Sequence, residues 1–271
     1  MSEKPRRSWL FVAGADEAAH EAAGRCGADV MMLDLEDFTP PELRPKARAL
    51  AADVLDRWRA KGAVAGVRIN PLETCGSEDL RGVLAGRPDF VMMSKVDSPE
   101  QVKALAVATG DAIDLVPNIE SAKGMLRLQE IANSSARVIA LLVASEDMVA
   151  DLGTARSRAG AELAYVRARF LLECRAAGVE AIDCPYTFSD AKGAAADARY
   201  ARRLGYRMKS LVEPSHAAAI NKALTPDLAQ ARRIVAAFEK ARARGKDRAK
   251  LGGALIEVPV YAAAKRLLER S

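Results

Sequence analysis

The sequence is poor in the residues from which many common active sites are built. Its 271 residues include two histidines and four cysteines, and aromatic residues make up 5% of the chain. The cysteines have no Cys-x-x-Cys spacing, so neither a zinc site nor a disulfide framework is expected. Neither His20 nor His216 has a setting typical of a Ser-His-Asp or Cys-His arrangement. Acid–base catalysis is therefore expected to depend on carboxylates, arginines, lysines or a metal.

Long apolar runs are also missing. No stretch approaches the roughly 18 apolar residues of a membrane-spanning helix. The apolar stretch that follows the basic N-terminus is too short for the core of a signal peptide. With 50% hydrophobic and 28% charged residues, the composition is typical of a well-packed globular chain. We therefore expect a cytoplasmic protein with no membrane partner.

The net charge of +5 is concentrated near the C-terminus. Between Arg232 and Lys250 there are eight lysines and arginines against Glu239 and Asp247. Such a run is usually a solvated helix face, but it can also attract a polyanion such as a nucleotide-bearing cofactor or a nucleic acid. No helix-turn-helix, zinc-finger or RNP-like pattern accompanies the charge, so a nucleic-acid partner is not expected.

Strand-length apolar runs alternate with segments of helical spacing. Most of these runs are continuous, which is typical of strands buried on both faces of a parallel sheet. Eight such pairs favour a closed (β/α)₈ barrel, known as a TIM barrel, and an open doubly wound sheet is the alternative. The predicted strands are Ser8–Gly14, Asp29–Asp37, Gly66–Asn70, Phe90–Val96, Asp114–Glu120, Val138–Asp147, Glu180–Tyr186 and Arg207–Pro214.

Two further helices are predicted after the eighth strand, over about 225–242 and 258–270, joined by the basic stretch that runs through Gly253. We therefore divide the chain into a barrel, residues 1–224, and a C-terminal helical extension, residues 225–271. A barrel does not need such an extension. It is expected either to cap the domain or to pack on a neighbouring subunit.

Polar residues end most of the apolar strands. In a (β/α)₈ barrel the active site lies at the carboxyl ends of the strands. Polar side chains there are costly to bury without a purpose, and carboxylates on several strands suggest that they converge on one site. These strand-end residues are Asp34, Glu36, Asp37, Arg68, Asn70, Lys95, Asn118, Glu120, Ser145, Glu146, Asp147, Asp183 and Glu213.

Converging carboxylates repel one another unless a cation lies between them. Mg²⁺ suits oxygen ligands and commonly takes one or two carboxylates together with waters and substrate. Glu120 and Asp147 are the candidate ligands. The alternative is that these carboxylates form ion pairs with Arg68 or Lys95, and the residues alone leave both open.

Several motifs, in order and suitably spaced, resemble the citrate lyase β-subunit-like proteins of the HpcH/HpaI aldolase superfamily. They cover nearly the whole chain: Arg7-Ser-Trp-Leu-Phe-Val-Ala-Gly14, Gly27-Ala-Asp29, Leu33-Asp-Leu-Glu-Asp37, Val67-Arg-Ile-Asn-Pro71, Ser94-Lys-Val96, Ile119-Glu-Ser121, Ala144-Ser-Glu-Asp147, Asp151-Leu-Gly153 and Ala254-Leu-Ile-Glu-Val-Pro-Val260.

The resemblance implies a (β/α)₈ barrel, trimers or hexamers in which a C-terminal helix packs on a neighbouring subunit, and Mg²⁺ as cofactor. It also implies that a carbon–carbon bond is cleaved or formed in a 3-hydroxy-3-carboxyl acyl-CoA such as citryl-, malyl- or citramalyl-CoA. The products of cleavage would be acetyl-CoA and a 2-keto acid.

Roles follow from the resemblance position by position. Glu120 and Asp147 match the metal ligands, and Arg68 matches the clamp on the substrate carboxylate. Glu36 and Asp37 match acidic residues that support metal-bound water. Arg7 and Lys95 match positions near CoA or substrate phosphates. The planar guanidinium of Arg68 would offer that carboxylate a two-pronged donor, which lysine cannot reproduce.

Glu257 departs from the family pattern. It stands where many members carry an aspartate that acts as a general acid or base from the neighbouring subunit. Glutamate keeps the carboxyl group but moves it by about one methylene. Glu257 is therefore either a catalytic residue that acts in a partner's site or a surface glutamate at the start of a helix.

Three other functions remain compatible with the sequence. They are a CoA-independent aldolase that cleaves 4-hydroxy-2-keto acids, a malyl-CoA thioesterase, and a non-catalytic barrel that binds CoA or nucleic acid. Retention of Arg68, Glu120 and Asp147 argues against the last of these. The identity of the thioester, the direction of the reaction and the existence of partner subunits are left open.

Overall fold

The computed structural model describes residues 5–269 and contains a closed barrel of eight parallel strands. Each strand pairs with its neighbours in chain order, and β1 closes the barrel on β8. The predicted (β/α)₈ barrel is therefore confirmed. The strands are β1 (Ser8–Ala13), β2 (Val30–Asp34), β3 (Val64–Ile69), β4 (Phe90–Met93), β5 (Asp114–Ile119), β6 (Ala140–Val143), β7 (Glu180–Asp183) and β8 (Met208–Leu211).

Helices follow the strands along the chain. They are α1 (Glu17–Ala23), α2 (Arg44–Ala60), α3 (Ser77–Val83), α4 (Pro99–Thr109), α5 (Ala122–Leu126), α6 (Leu128–Ala132), α7 (Glu146–Asp151), α8 (Ala164–Ala177), α9 (Ala191–Leu204) and α10 (Ala217–Leu224). The start of α4 follows its sequence signal, since Pro99 is its first residue and the Gln101 side chain accepts a hydrogen bond from the backbone N–H of Ser98.

Alternation along the strands separates two apolar layers. Trp9, Phe11, Met32 and Phe90 belong to the layer inside the barrel, whereas their neighbours along each strand pack between the strands and the helices. Gly66 on β3 makes room for the interior, because a Cβ there would lie about 2.4 Å from the Phe90 ring. The barrel is thus filled by side chains below its carboxyl end.

The same alternation positions the polar residues at that end. Asp34, Arg68 and Asn118 are spaced by two or four residues from interior residues of their own strands, so their side chains turn toward the barrel axis. Asp34 and Arg68 are also direct partners in the register of β2 and β3. The register of the two strands alone therefore places the Asp34 carboxylate beside the Arg68 guanidinium.

Several predicted strands extended too far at their carboxyl ends. Lys95 and Glu120 lie in loops just after β4 and β5, and Asp147 is the second residue of α7. The apolar runs continue past the last ladder hydrogen bond because the chain remains buried as it turns into the loop. The polar residues still lie at the expected end of the barrel.

Residues 225–269 form a second compact unit. It contains α11 (Leu228–Arg242), β9 (Ala249–Leu251), β10 (Ala254–Ile256) and α12 (Val258–Glu269). The helix predicted over about 225–242 begins at Leu228, and Asp227 caps it by accepting from the backbone N–H of Gln230. Residue 270, the predicted end of the last helix, lies outside the described residues.

The segment predicted as a basic connection contains a hairpin. β9 and β10 pair antiparallel around Gly252 and Gly253, both with positive φ, which is the backbone conformation of a tight two-residue turn. Within residues 5–269, no helix combines the length and the apolar character needed to cross a membrane.

Candidate active site at the carboxyl ends of the strands

The loop after β2 is folded around the end of its own strand. The Asp34 carboxylate accepts hydrogen bonds from the backbone N–H groups of Glu36, at 2.9 Å, and Phe38, at 3.1 Å. Thr39 Oγ1 donates to the Asp34 carbonyl at 2.5 Å and accepts from the backbone N–H of Gly14 at 2.8 Å. These bonds fix where Glu36 stands relative to the barrel mouth.

Arg68 is buried, with 5% of its surface exposed, and is surrounded by acids. Its Nε and Nη2 donate to the two oxygens of Asp34 at 2.7 and 2.5 Å. Its Nη1 lies 2.9 Å from Glu36 Oε2 and 3.7 Å from Asp37 Oδ2. Burial alone would lower the pKa of Arg68, but Asp34 and Glu36 raise it, so the guanidinium stays charged.

The expected two-pronged clamp on a substrate needs correction at this point. The fork formed by Nε and Nη2 is already occupied by Asp34, so only the remaining N–H bonds of Arg68 can reach a ligand. The aromatic ring of Phe11 lies against the guanidinium, with its centroid 4.6 Å from Cζ. Asp34 and Phe11 therefore fix the orientation of Arg68, and neither was assigned a role from the sequence.

Glu36 joins Arg68 to Lys95. Lys95 adopts a left-handed backbone conformation, with φ of 53°, and its Nζ donates to Glu36 Oε1 at 2.6 Å. This hydrogen bond raises the pKa of Lys95. Burial raises the pKa of Glu36 despite both cations. The sequence left open that Glu120 and Asp147 form ion pairs with Arg68 or Lys95. In the structure Arg68 pairs with Asp34 and Glu36, and Lys95 pairs with Glu36.

Glu120 is the buried acid that these cations do not contact. It has 3% of its surface exposed, the Asn118 side-chain amide donates to its Oε1, and its Oε2 has no hydrogen-bond partner among residues 5–269. Burial, with the negative charges of Glu36 and Asp147, outweighs Arg68 and Lys95 and raises the pKa of Glu120 to about 8.

Asp147 borders two cavities at this end of the barrel. One, of about 290 Å³, is lined by Arg68, Asn118 and Ser145 among other residues. The other, of about 450 Å³, is lined by Lys95, Glu120 and Asp147 among others. Glu120 and Asp147, the two predicted metal ligands, therefore border one cavity, and the negative charge of Asp147 acts on Glu120.

The charges at the mouth do not balance. Asp34, Glu36, Glu120 and Asp147 face the cations Arg68 and Lys95, and we call these six residues the mouth cluster. A small divalent cation between Glu120 and Asp147 would supply the missing positive charge and a partner for Glu120 Oε2. Among residues 5–269, no group of three or more histidine, cysteine or acidic residues has a metal-binding arrangement. Two carboxylates suit Mg²⁺, which keeps water and substrate ligands.

The other predicted site residues have different positions. Asp37 is exposed and borders the 290 Å³ cavity. Arg7 precedes β1 at the amino end of the barrel, where its Nε and Nη2 pair with Asp29 at 2.8 and 2.9 Å. The structure therefore does not bring Arg7 together with the mouth cluster. Glu257 is exposed and directly precedes α12 in the second compact unit.

Asp183 was expected at the mouth, but it faces away from it. Ile182 belongs to the barrel interior, so the next residue on β7 points toward the helices. There Asp183 accepts from Arg167 and Lys209. Alternation along β7 is a sequence signal that could have separated this residue from the others.

The carboxyl end of this (β/α)₈ barrel holds an arginine and more carboxylates than cations. This arrangement is typical of barrel enzymes that act on anionic substrates through a bound cation. Residues 7–214 match the family described as HpcH/HpaI aldolase/citrate lyase. The chain belongs to this family.

Individual relatives cover almost the whole chain. The citrate lyase subunit beta of Haemophilus influenzae is 33% identical over 99% of this chain and 97% of its own. The (3S)-malyl-CoA thioesterase of Cereibacter sphaeroides is 29% identical over 98% of this chain and 95% of its own. The crystal structure of CitE from Mycobacterium tuberculosis in complex with magnesium, acetoacetate and coenzyme A superposes with a TM-score of 0.79. That protein is 30% identical to this chain, and the match covers 98% of each.

Proposed function

We propose that this protein is a magnesium-dependent carbon–carbon lyase that cleaves a short 3-hydroxy-3-carboxyl acyl-CoA, such as citryl-, malyl- or citramalyl-CoA, into acetyl-CoA and a 2-keto acid, or forms it by the reverse reaction. The observation that carries the proposal is the buried Glu120 carboxylate, which shares a cavity with Asp147 and has one oxygen without a hydrogen-bond partner in the described part of the chain. Relatives named as a citrate lyase subunit and a structure holding magnesium and coenzyme A support the same chemistry.

Glu120 and Asp147 would hold the cation. When bound there, Mg²⁺ would stabilise negative charge on the substrate oxygens as the carbon–carbon bond breaks. Asn118 fixes Glu120 by donating to its Oε1. Glu36 and Asp37 would orient water at the cation, and Lys95, with half of its side chain exposed, would meet the anionic end of the ligand.

Arg68 would bind the carboxylate that becomes part of the 2-keto acid. Its position is fixed by Asp34 on one edge and Phe11 on one face, so it needs little rearrangement when the ligand arrives. The 290 Å³ cavity beside it has the size for a short hydroxy acid, and the rest of a CoA thioester would extend outside.

Cleavage also requires one proton to move. The 3-hydroxyl group must lose its proton, and the carbon of the departing thioester enolate must gain one. We assign this transfer to Glu257 of a second copy of the chain, which makes a homotrimer or larger homo-oligomer part of the proposal. The exposure of Glu257 at the start of α12 leaves its carboxyl group accessible for such a role.

Activity of mixed oligomers tests this assignment. Glu120→Gln and Glu257→Gln should each be inactive alone, but coexpression should restore measurable cleavage because some sites would combine an intact Glu120 with an intact Glu257 from a partner. Glu239→Gln, in the same unit, serves as the matched control and should retain activity. Full activity of Glu257→Gln alone would contradict the assignment.

A panel of substrates tests the proposed reaction itself. Purified protein is incubated with citryl-, malyl- and citramalyl-CoA, with and without Mg²⁺, and the 2-keto acid is measured. Magnesium-dependent release of the keto acid from at least one thioester is expected. Cleavage of 4-hydroxy-2-keto acids alone would contradict it and favour the CoA-independent aldolase.

A malyl-CoA thioesterase is the second candidate, because one relative that covers nearly the whole chain has that name. The two reactions differ in their products. A thioesterase releases a free CoA thiol and malate, whereas the lyase releases acetyl-CoA and glyoxylate. Measurement of free thiol beside the keto acid in the same incubation separates them.

A further inference from the structure

Ser145 carries a buried hydroxyl group that the proposed chemistry has not yet used. It lies between β6 and α7, and 2% of its surface is exposed. Although Ser145 directly precedes a helix, its side chain makes no capping hydrogen bond. Its Oγ has no hydrogen-bond partner among residues 5–269. A buried hydroxyl group without a partner lowers stability, because its hydration is lost and not replaced.

Ser145 belongs to the lining of the 290 Å³ cavity beside Arg68. The other polar side chains of this lining are either carboxylates, which only accept hydrogen bonds, or side chains that already donate at least one hydrogen bond within the protein. Asn118 donates to Glu120, and Thr187 donates to Glu146. Within the part of the chain that the structure describes, Ser145 is therefore the one side-chain donor of this lining that makes no hydrogen bond.

A carboxylate bound by Arg68 would need a further hydrogen-bond donor. Two of its nitrogens are directed at Asp34 and the third lies beside Glu36, so the guanidinium cannot offer its fork to a ligand. A substrate carboxylate has two oxygens and about four acceptor sites, and it needs further donors when buried. A neutral hydroxyl group adds one without changing the charge of the cavity.

We infer that the Ser145 hydroxyl group donates a hydrogen bond to the carboxylate that Arg68 binds, and that Ser145 helps to select substrates carrying this carboxylate. The inference rests on the proposed function, since it takes a 2-keto acid or its hydroxy acid precursor as the ligand of this cavity. It explains why the chain keeps a buried hydroxyl group that has no partner within the described residues.

Paired measurements of binding and stability test the inference. Pyruvate and oxaloacetate are titrated, in the presence of Mg²⁺, into the wild-type protein and Ser145→Ala. We expect binding weaker by about tenfold in the variant, because a hydrogen bond to a charged group is lost. We also expect KM to rise while kcat changes little, and the melting temperature to stay the same or increase, because no protein hydrogen bond is broken.

Ser210→Ala is the matched control. Ser210 is equally buried, but its Oγ donates to the Asp183 carbonyl at 2.8 Å. This variant should melt at a lower temperature and bind keto acids as the wild-type protein does. A lower melting temperature for Ser145→Ala, or unchanged keto-acid affinity, would overturn the inference while the proposed function stands. A wild-type protein that binds neither keto acid and cleaves no thioester overturns both.

Discussion

Two groups of charged residues lie on opposite sides of the same barrel wall. The mouth cluster faces the barrel axis at the carboxyl ends of the strands. The second group, which we call the outer network, faces the helices and consists of Arg167, Asp183, Asp197 and Lys209. The outer network has two positive and two negative charges, and its side-chain contacts range from 2.5 to 2.8 Å.

The two groups differ in how completely their polar atoms are paired. In the outer network, Lys209 is fully buried and its Nζ contacts Asp183, Asp197 and the Cys184 carbonyl. At the mouth, acids outnumber cations, and Glu120 Oε2 has no hydrogen-bond partner among residues 5–269. A balanced network stabilises the fold, whereas unpaired buried groups lower stability and are typical of sites that bind a ligand.

The largest expected effect is the loss of activity in Glu120→Gln. Gln is similar in size but carries no charge, so the cation site loses one of its two carboxylates. We expect kcat/KM to fall by at least about a thousandfold, or roughly 4 kcal/mol in transition-state stabilisation, and Mg²⁺ binding to be lost. Steady-state kinetics and calorimetry measure the two effects.

Glu180→Gln is the control for this change. Glu180 pairs with Arg207 at the amino end of β7, so its loss leaves the mouth cluster intact. This variant should keep its kcat/KM within about twofold. Wild-type magnesium affinity in Glu120→Gln would show that this residue is not a ligand.

Removing a carboxylate charge from the outer network should lower stability and leave activity unchanged, whereas the same change at Glu120 should abolish activity. Asp183→Asn leaves Arg167 and Lys209 buried with one negative charge between them. We expect the free energy of unfolding to decrease by about 3–5 kcal/mol, while kcat/KM of the folded fraction is unchanged. Chemical denaturation, with activity measured on the same samples, checks this. Unchanged stability together with lost activity would reverse the roles assigned to the two groups.

The pH dependence of stability should also have opposite sign in the two groups. Glu120 normally titrates near 4.5, and its pKa is raised to about 8 by burial and by Glu36 and Asp147. Its contribution to stability is complete below about pH 4.5 and is lost as the pH rises through 8. Despite burial, Lys209 and Arg167 lower the pKa of Asp197 to about 2. Its contribution is present above its usual pKa of 3.8 and is lost as the pH falls through 2.

Denaturation of metal-free protein at a series of pH values measures the first of these effects. Between about pH 5 and pH 9, the wild-type protein should lose a few kcal/mol of stability relative to Glu120→Gln. Mg²⁺ should reduce the difference in slope, because the cation favours the charged carboxylate. Parallel stability curves for the two proteins would show that Glu120 titrates normally in the folded state.

The sequence alone was sufficient for the barrel, because a parallel strand buried on both faces leaves a continuous apolar run that is easy to recognise. It also placed Glu36, Arg68, Lys95, Glu120 and Asp147 at one end of the fold. It could not assign the partner of each charge. Whether Arg68 pairs with Asp34 or is free for a ligand depends on the register of two strands, and the pattern of residue types does not contain that register.

Other features were missed although a signal was present. The alternation of Ile182 and Asp183 along β7 would have placed the aspartate outside the barrel once one residue was known to face inward. The Gly252-Gly253 pair between two short apolar runs is a hairpin signal. The unpartnered state of Ser145 had no signal in the sequence, because it depends on every neighbour of one hydroxyl group.

The smallest expected effect concerns the residue that joins the mouth cluster together. In Arg68→Lys the charge is kept, but a single ammonium group cannot bind both oxygens of Asp34 and also reach Glu36 and a ligand. We expect kcat/KM to fall at least tenfold, or about 1.4 kcal/mol. Arg48→Lys is the matched control, because Arg48 Nε and Nη2 pair with Asp79 at 3.0 and 2.8 Å away from the mouth. If both variants kept wild-type kinetics, the geometry of the guanidinium would matter only for folding, and Arg68 would be a structural partner of Asp34.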